Sequence, residues 1–155
     1  MLRLVRGATA LVFAAIAGLH FAWARGSSFP FADRDALADS VVGAEAVPSP
    51  GACLTIASLL TIATALVAGA PIGPPRLRRL GVATVAGALT VRGVAGFAGR
   101  TDVLSPGSTS PKFRRLDRAL YSPLCIALAV GAASTFVDSR RTRSARRLRS
   151  RVPGV

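Results

Sequence analysis

The chain has 155 residues, 51% of them hydrophobic, and a formal charge of +13 carried almost entirely by Arg; its mean hydropathy is +0.48. A soluble helical domain would show polar stripes at helical spacing, and the long apolar runs here have none, which excludes an ordinary water-soluble fold. The basic residues flank those runs without interleaved aromatics, which sets nucleic acid aside as a partner, and two cysteines without a CxxC pair, with a single His, support neither a disulfide framework nor a metal site.

Four runs carry the apolar content: Ala8 to Ala24, Ala52 to Ala70, Leu80 to Ala98 and Ala119 to Val137. A hydrocarbon core of about 30 Å needs roughly 17–25 residues of helix, and each run fits. The expected fold class is all-α, an integral membrane four-helix bundle. Residues 1–137 form one membrane domain with spans at about 8–24, 52–70, 80–98 and 119–137. An Arg-rich tail over 138–155 is expected to be disordered.

The first run follows Arg3 and Arg6 and ends on Ala22-Trp23-Ala24, a pattern that also suits a signal-peptide cleavage site. Its length, with His20 and Trp23 just before the cut, favours a retained span. His20 is either a hydrogen-bonded packing residue or a proton carrier, and Trp23 at i+3 is placed to meet its ring.

The connection from Arg25 to Gly51 is net acidic, with Asp33, Asp35, Asp39 and Glu45 against Arg25 and Arg34. Phe29 and Phe31, beside Trp23, suit the headgroup belt. Leu37, Val41 and Val42 allow either a short surface helix or an unstructured cap. In the second run the polar residues are Thr and Ser, whose hydroxyls can bond back to the helix backbone. That run stops at Gly69-Ala70-Pro71, and Arg76, Arg78 and Arg79 follow.

The third run is rich in small residues (Gly81, Ala83, Gly87, Gly93 and Gly96), which lets neighbouring backbones approach and places this span at the centre of the bundle. It also carries Arg92. A central Arg costs about 2.5–3.5 kcal/mol on insertion scales. Arg92 therefore either snorkels to the interface or turns inward onto a carboxylate or anion, with Asp117 as the candidate partner.

Phe113, Leu116 and Leu120 fall at i, i+3 and i+7, with Arg114, Arg115, Asp117 and Arg118 on the other side. The pattern predicts a short amphipathic helix at the interface. Ser122-Pro123 then marks a bend or a new start with Ser122 as N-cap. Ser49-Pro50 before Cys53 and Ser122-Pro123 before Cys125 echo one another, but the spacing differs and chance is the preferred explanation.

Charge sets the topology. The second connection and the tail outvote Lys112, Arg114, Arg115 and Arg118 of the third, so both termini are expected on the cytoplasmic side. Alternating direction then brings His20, Trp23, Arg92, Asp117, Tyr121 and Cys125 into the outer half of the bilayer as a candidate polar cluster. Cys53 and Cys125 are small core residues or, if their helix ends meet, a disulfide. No catalytic residue, metal or cofactor is expected. In the tail, Arg140, Arg141, Arg143, Arg146 and Arg147 either fix orientation or contact anionic lipid headgroups, at about 1 kcal/mol per basic residue.

Leu19-His20-Phe21-Ala22-Trp23-Ala24-Arg25-Gly26, Val91-Arg92-Gly93-Val94-Ala95-Gly96-Phe97 and, most specifically, Asp117-Arg118-Ala119-Leu120-Tyr121-Ser122-Pro123-Leu124-Cys125 carry a resemblance. Over roughly Ala8 to Val137 the chain resembles an uncharacterised family of small four-span bacterial integral membrane proteins, a domain of unknown function. The resemblance implies a multi-pass protein of the bacterial cytoplasmic membrane and carries no activity, cofactor or catalytic residue; the tail lies outside it. The expected function is a non-enzymatic interaction or small-conduit protein, with the lipid bilayer, another membrane protein or a second copy as partner. The alternative is a membrane-embedded enzyme or redox component with an outer-leaflet site around His20 and Arg92.

Overall fold

A computed structural model describes the backbone of residues 1–149 and the side chains of residues 1–136. All regular structure among them is helical: α1 (Leu2–Ala24), α2 (Arg34–Leu37), α3 (Pro50–Ala68), α4 (Pro75–Phe97), α5 (Thr101–Leu104), α6 (Pro111–Leu116) and α7 (Ser122–Arg149), with π-turns at Ala38–Val42 and Asp117–Tyr121. Four helical segments are long and apolar enough to cross a membrane: Leu2–Ala24, Pro50–Ala68, Pro75–Phe97 and Pro111–Phe136.

Local chemistry accounts for where these helices start and stop. Ser49 caps α3 by accepting from the Ala52 N–H at 3.2 Å, with Pro50 in the first turn, where a missing N–H costs nothing. Helix α1 closes with Ser27 N–H donating to Ala22 O and Gly26 N–H to Trp23 O, which satisfies carbonyls that the helix leaves open. The same closure ends α4, where Gly99 sits at φ +69° and Arg100 N–H reaches Ala95 O at 2.8 Å. In α3 the Thr55, Thr61 and Thr64 hydroxyls donate to carbonyls one turn back, which satisfies those three donors within the helix.

Helix α1 packs along α3 and α4 packs along α7, and α1 joins the two pairs through α7. One apolar cluster fills the middle, with Phe13, Leu66, Val67, Val82, Leu128 and Ala132. A second cluster of Trp23, Leu37 and Cys53 lies under the loops at one end. Outward faces remain apolar: Leu11, Leu59, Val91 and Val130 are among the large side chains left exposed. Such faces are at home in lipid and unfavourable in water.

The structure corrects three expectations. Helix α4 is not central. Its window has the smallest buried share of the four, and Ala83 and Gly87 point outward. Gly93 and Gly96 of α4 do admit Ile126 and Ser122 of α7, and α1 and α7 meet closely at Gly131, where a Cβ would collide with the Thr9 side chain. Small residues permit close approach on whichever face they occupy, so their presence in α4 did not fix which neighbour uses them.

The second correction concerns Ser122-Pro123, which is neither a bend nor an N-cap but the point where the π-turn passes into α7. Ser122 is itself helical, with φ −66° and ψ −47°, and its N–H bonds to Asp117 O one residue farther back than in an α-helix. The widened turn gives Pro123 room where its ring would otherwise press on the carbonyl four residues before it. Helical structure therefore runs unbroken from Pro111 into α7.

Third, the amphipathic face is turned. Phe113 and Asp117 share the buried side, whereas Leu120 is 54% exposed. In lipid the carboxylate belongs inside and the Leu outside, the reverse of a helix lying on a water boundary.

Candidate functional site

Both long connections close over the same end of the bundle. Asp33 caps α2 by accepting from the Ala36 N–H at 2.7 Å, and Leu37 drops into the cluster beneath. The first connection is thus a short helix with a π-turn, and not an unstructured cap. It is locked to the third connection by polar contacts. Ser108 Oγ donates to Val42 O at 2.6 Å, and the Thr109 and Ser110 N–H groups both donate to Gly43 O. Ser110 Oγ donates to Asp39 Oδ1 at 2.5 Å, and Lys112 Nζ lies 3.4 Å from Asp39 Oδ2. The Ser110 hydroxyl, helped by Lys112 and opposed by burial, holds the Asp39 carboxyl below its ordinary value of 3.8. Gly43 is required at this junction: its φ is +75°, and a Cβ would come within 2.6 Å of the Phe113 ring.

Beneath this cap, Arg92 turns inward. Its Nη2 donates to Asp117 Oδ1 at 2.7 Å, and Asp117 is almost fully buried. Asp117 also accepts from the Thr101 hydroxyl through Oδ2 and from Ser122 Oγ at 3.2 Å through Oδ1. Three donors, from α4, α5 and α7, converge on one carboxylate. Gly96 makes room for them, since a Cβ there would collide with Ser122 Oγ and crowd Asp117 and Arg92. Arg92 Nη1 is buried with no hydrogen-bond partner among the described residues.

The other predicted residues divide. His20 and Trp23 pack ring on ring at 4.7 Å between centroids; His20 Nδ1–H donates to Ile16 O at 2.9 Å, and Trp23 Nε1–H donates to Phe29 O at 2.7 Å. Both line, with Arg92, a cavity of about 370 Å³ roofed by Leu37, Val41 and Phe113. Tyr121 points elsewhere, its hydroxyl donating to Ser40 O at 3.0 Å and tying the π-turn before α7 to the cap. Cys125 and Cys53 are both free thiols, so no disulfide joins them. Among the described residues no cluster of His, Cys, Asp or Glu could hold a metal ion. The side chains of Arg140, Arg141, Arg143, Arg146 and Arg147 lie outside the described residues.

Thr101 and Ser108 were not anticipated, and Ser122 was anticipated only as a cap. Their partners stand 16, 66 and 5 residues away. The one available signal was Asp117 itself, since a carboxylate inside a span requires donors.

A family model described as Protein of unknown function (DUF3995) matches residues 13–132. The chain belongs to that family. The matched residues include α1 from Phe13 onward, the cap, the Arg92–Asp117 pair and α7 to Ala132, so the capped end lies within the family's span. No curated protein and no solved structure matches the chain.

Proposed function

We propose that this DUF3995 protein is a non-catalytic interaction protein of the bacterial plasma membrane, with both termini cytoplasmic, that associates with a second copy through the outward face of α4. One observation carries the reading. Ala83 and Gly87 lie one turn apart on the exposed side of α4, and a Cβ on Gly87 would meet nothing within 4 Å. A small-residue face open to lipid is where a second helix can approach backbone to backbone, the main source of helix association when water is absent. The apolar cluster around Phe13, Val67 and Val82 fills the middle of the bundle, which weighs against the conduit reading. Asp117, committed to three donors, is poorly suited to act as a general base, which weighs against the enzyme reading. Contact of Arg140, Arg141, Arg143, Arg146 and Arg147 with anionic lipid headgroups belongs to the same proposal.

Gly87→Leu tests it. The substitution adds bulk where the monomer has open space, so the thermal stability of the single chain should not fall. Light scattering of the detergent-solubilised protein should show a dimer for the native chain and a monomer for the variant. Native and variant chains of equal mass would end the proposal.

A further inference from the structure

The cavity under the cap makes no contribution to the association just described, yet it combines features that specify a ligand. Its walls are mostly apolar and include the largely buried rings of Trp23 and Phe113. Its polar residues include His20, Arg92, Thr101 and Ser105. At about 370 Å³ it falls at the lower end of the range for small-molecule sites, room for a body of one or two rings.

Charge and hydrogen bonding narrow the class. Arg92 is the charged lining residue, and Asp117 already neutralises it at 2.7 Å. An anion entering the cavity would have to share that guanidinium with a buried carboxylate, placing two negative charges on one positive group in a poorly solvated site. A neutral ligand avoids this. The guanidinium has five N–H donors and makes one directed bond, to Asp117; Nη1 is buried, but the side chain keeps 28% of its surface exposed and lines the cavity, so donors other than Nη1 remain unmade there. Donors left unmade in such a site favour an acceptor oxygen. The Nδ1–H of His20 is already donated to Ile16 O, so that donor does not compete for the oxygen.

We infer that the cavity between the cap and α1, α3 and α4 binds a neutral, flat, apolar molecule bearing a carbonyl oxygen, which accepts from Arg92. The inference is independent of dimer formation, because Gly87 lies on the outward face of α4 and does not line the cavity.

Trp23 is the single Trp of the chain and lines the site, so its fluorescence reports occupancy directly. The full chain in phosphatidylcholine nanodiscs is titrated with menadione, a neutral two-ring dicarbonyl. The expected result is saturable quenching, reversed by 1-decalone. Decalin, which lacks the oxygen, and decalin-2-carboxylate, which carries a charge, should each be at least tenfold weaker competitors. Ala52→Phe fills the cavity away from the ion pair and should abolish saturation; Val47→Phe serves the same purpose if Ala52→Phe does not fold. The double variant Arg92→Gln/Asp117→Asn keeps the site neutral, removes the guanidinium, and should weaken menadione at least tenfold. Quenching that rises linearly without saturation overturns the inference. So does a carboxylate or a hydrocarbon that competes as well as the ketone, or saturation that survives both filled-cavity variants.

Discussion

Removing both members of the Arg92–Asp117 pair should cost clearly less than the two single removals added together. Asp117→Ala leaves a guanidinium without its counter-charge inside a span, and loss of one partner of a buried pair typically costs about 3–5 kcal/mol. Arg92→Ala leaves the carboxylate with the Thr101 and Ser122 hydroxyls as its donors, which places that variant near the lower end of the same range. The double variant carries no buried charge and loses mainly packing and hydroxyl bonds, for an expected total of about 2–4 kcal/mol. The singles together should therefore exceed the double by at least about 2 kcal/mol. A plain hydrogen bond between membrane helices couples by only about 0.6 kcal/mol, so the size of the coupling separates an ion pair from an ordinary polar contact. Reversible unfolding in mixed micelles, followed through Trp23, supplies the four free energies. Additivity within about 0.5 kcal/mol would refute the inward pair and restore a snorkelling Arg92.

Gly43→Ala should destabilise by about 1–3 kcal/mol, because the added methyl meets the Phe113 ring and the backbone stands at φ +75°; the same unfolding assay checks it. The Asp39 latch should loosen in acid. Its folded carboxyl titrates below 3.8, so the stabilisation is complete above that value and disappears as pH falls through the lower folded value. Amide exchange of residues 38–43 and 108–113, corrected for intrinsic rates, should rise in that acid window in the native chain. In Asp39→Asn it should already be high at pH 6, and identical profiles for the two proteins would refute the latch.

The spans were legible because bilayer thickness fixes their length, and Pro and Gly mark their ends. Arg92 was legible as an anomaly, and Asp117 as the carboxylate near enough in the folded topology to answer it. What the sequence could not show was the direction of a face. Phe113, Leu116 and Leu120 make a regular stripe, but in lipid an apolar stripe can face outward, and the need of Asp117 for three donors decided the rotation. The cap was hidden for another reason. Contacts such as Ser108 to Val42 O and Tyr121 to Ser40 O link non-periodic segments 66 and 81 residues apart, and a hydroxyl in a loop carries no sign of its distant acceptor.

Cysteine accessibility across the cell membrane tests the central claim most directly, namely that the two long connections share one side of a lipid bilayer and the short one lies on the other. In a background with Cys53→Ala and Cys125→Ala, single cysteines replace the exposed residues Arg25, Arg76 and Arg100. An impermeant maleimide added to intact cells should label the first and third and spare the second. Labelling that separates Arg25→Cys from Arg100→Cys would contradict the account.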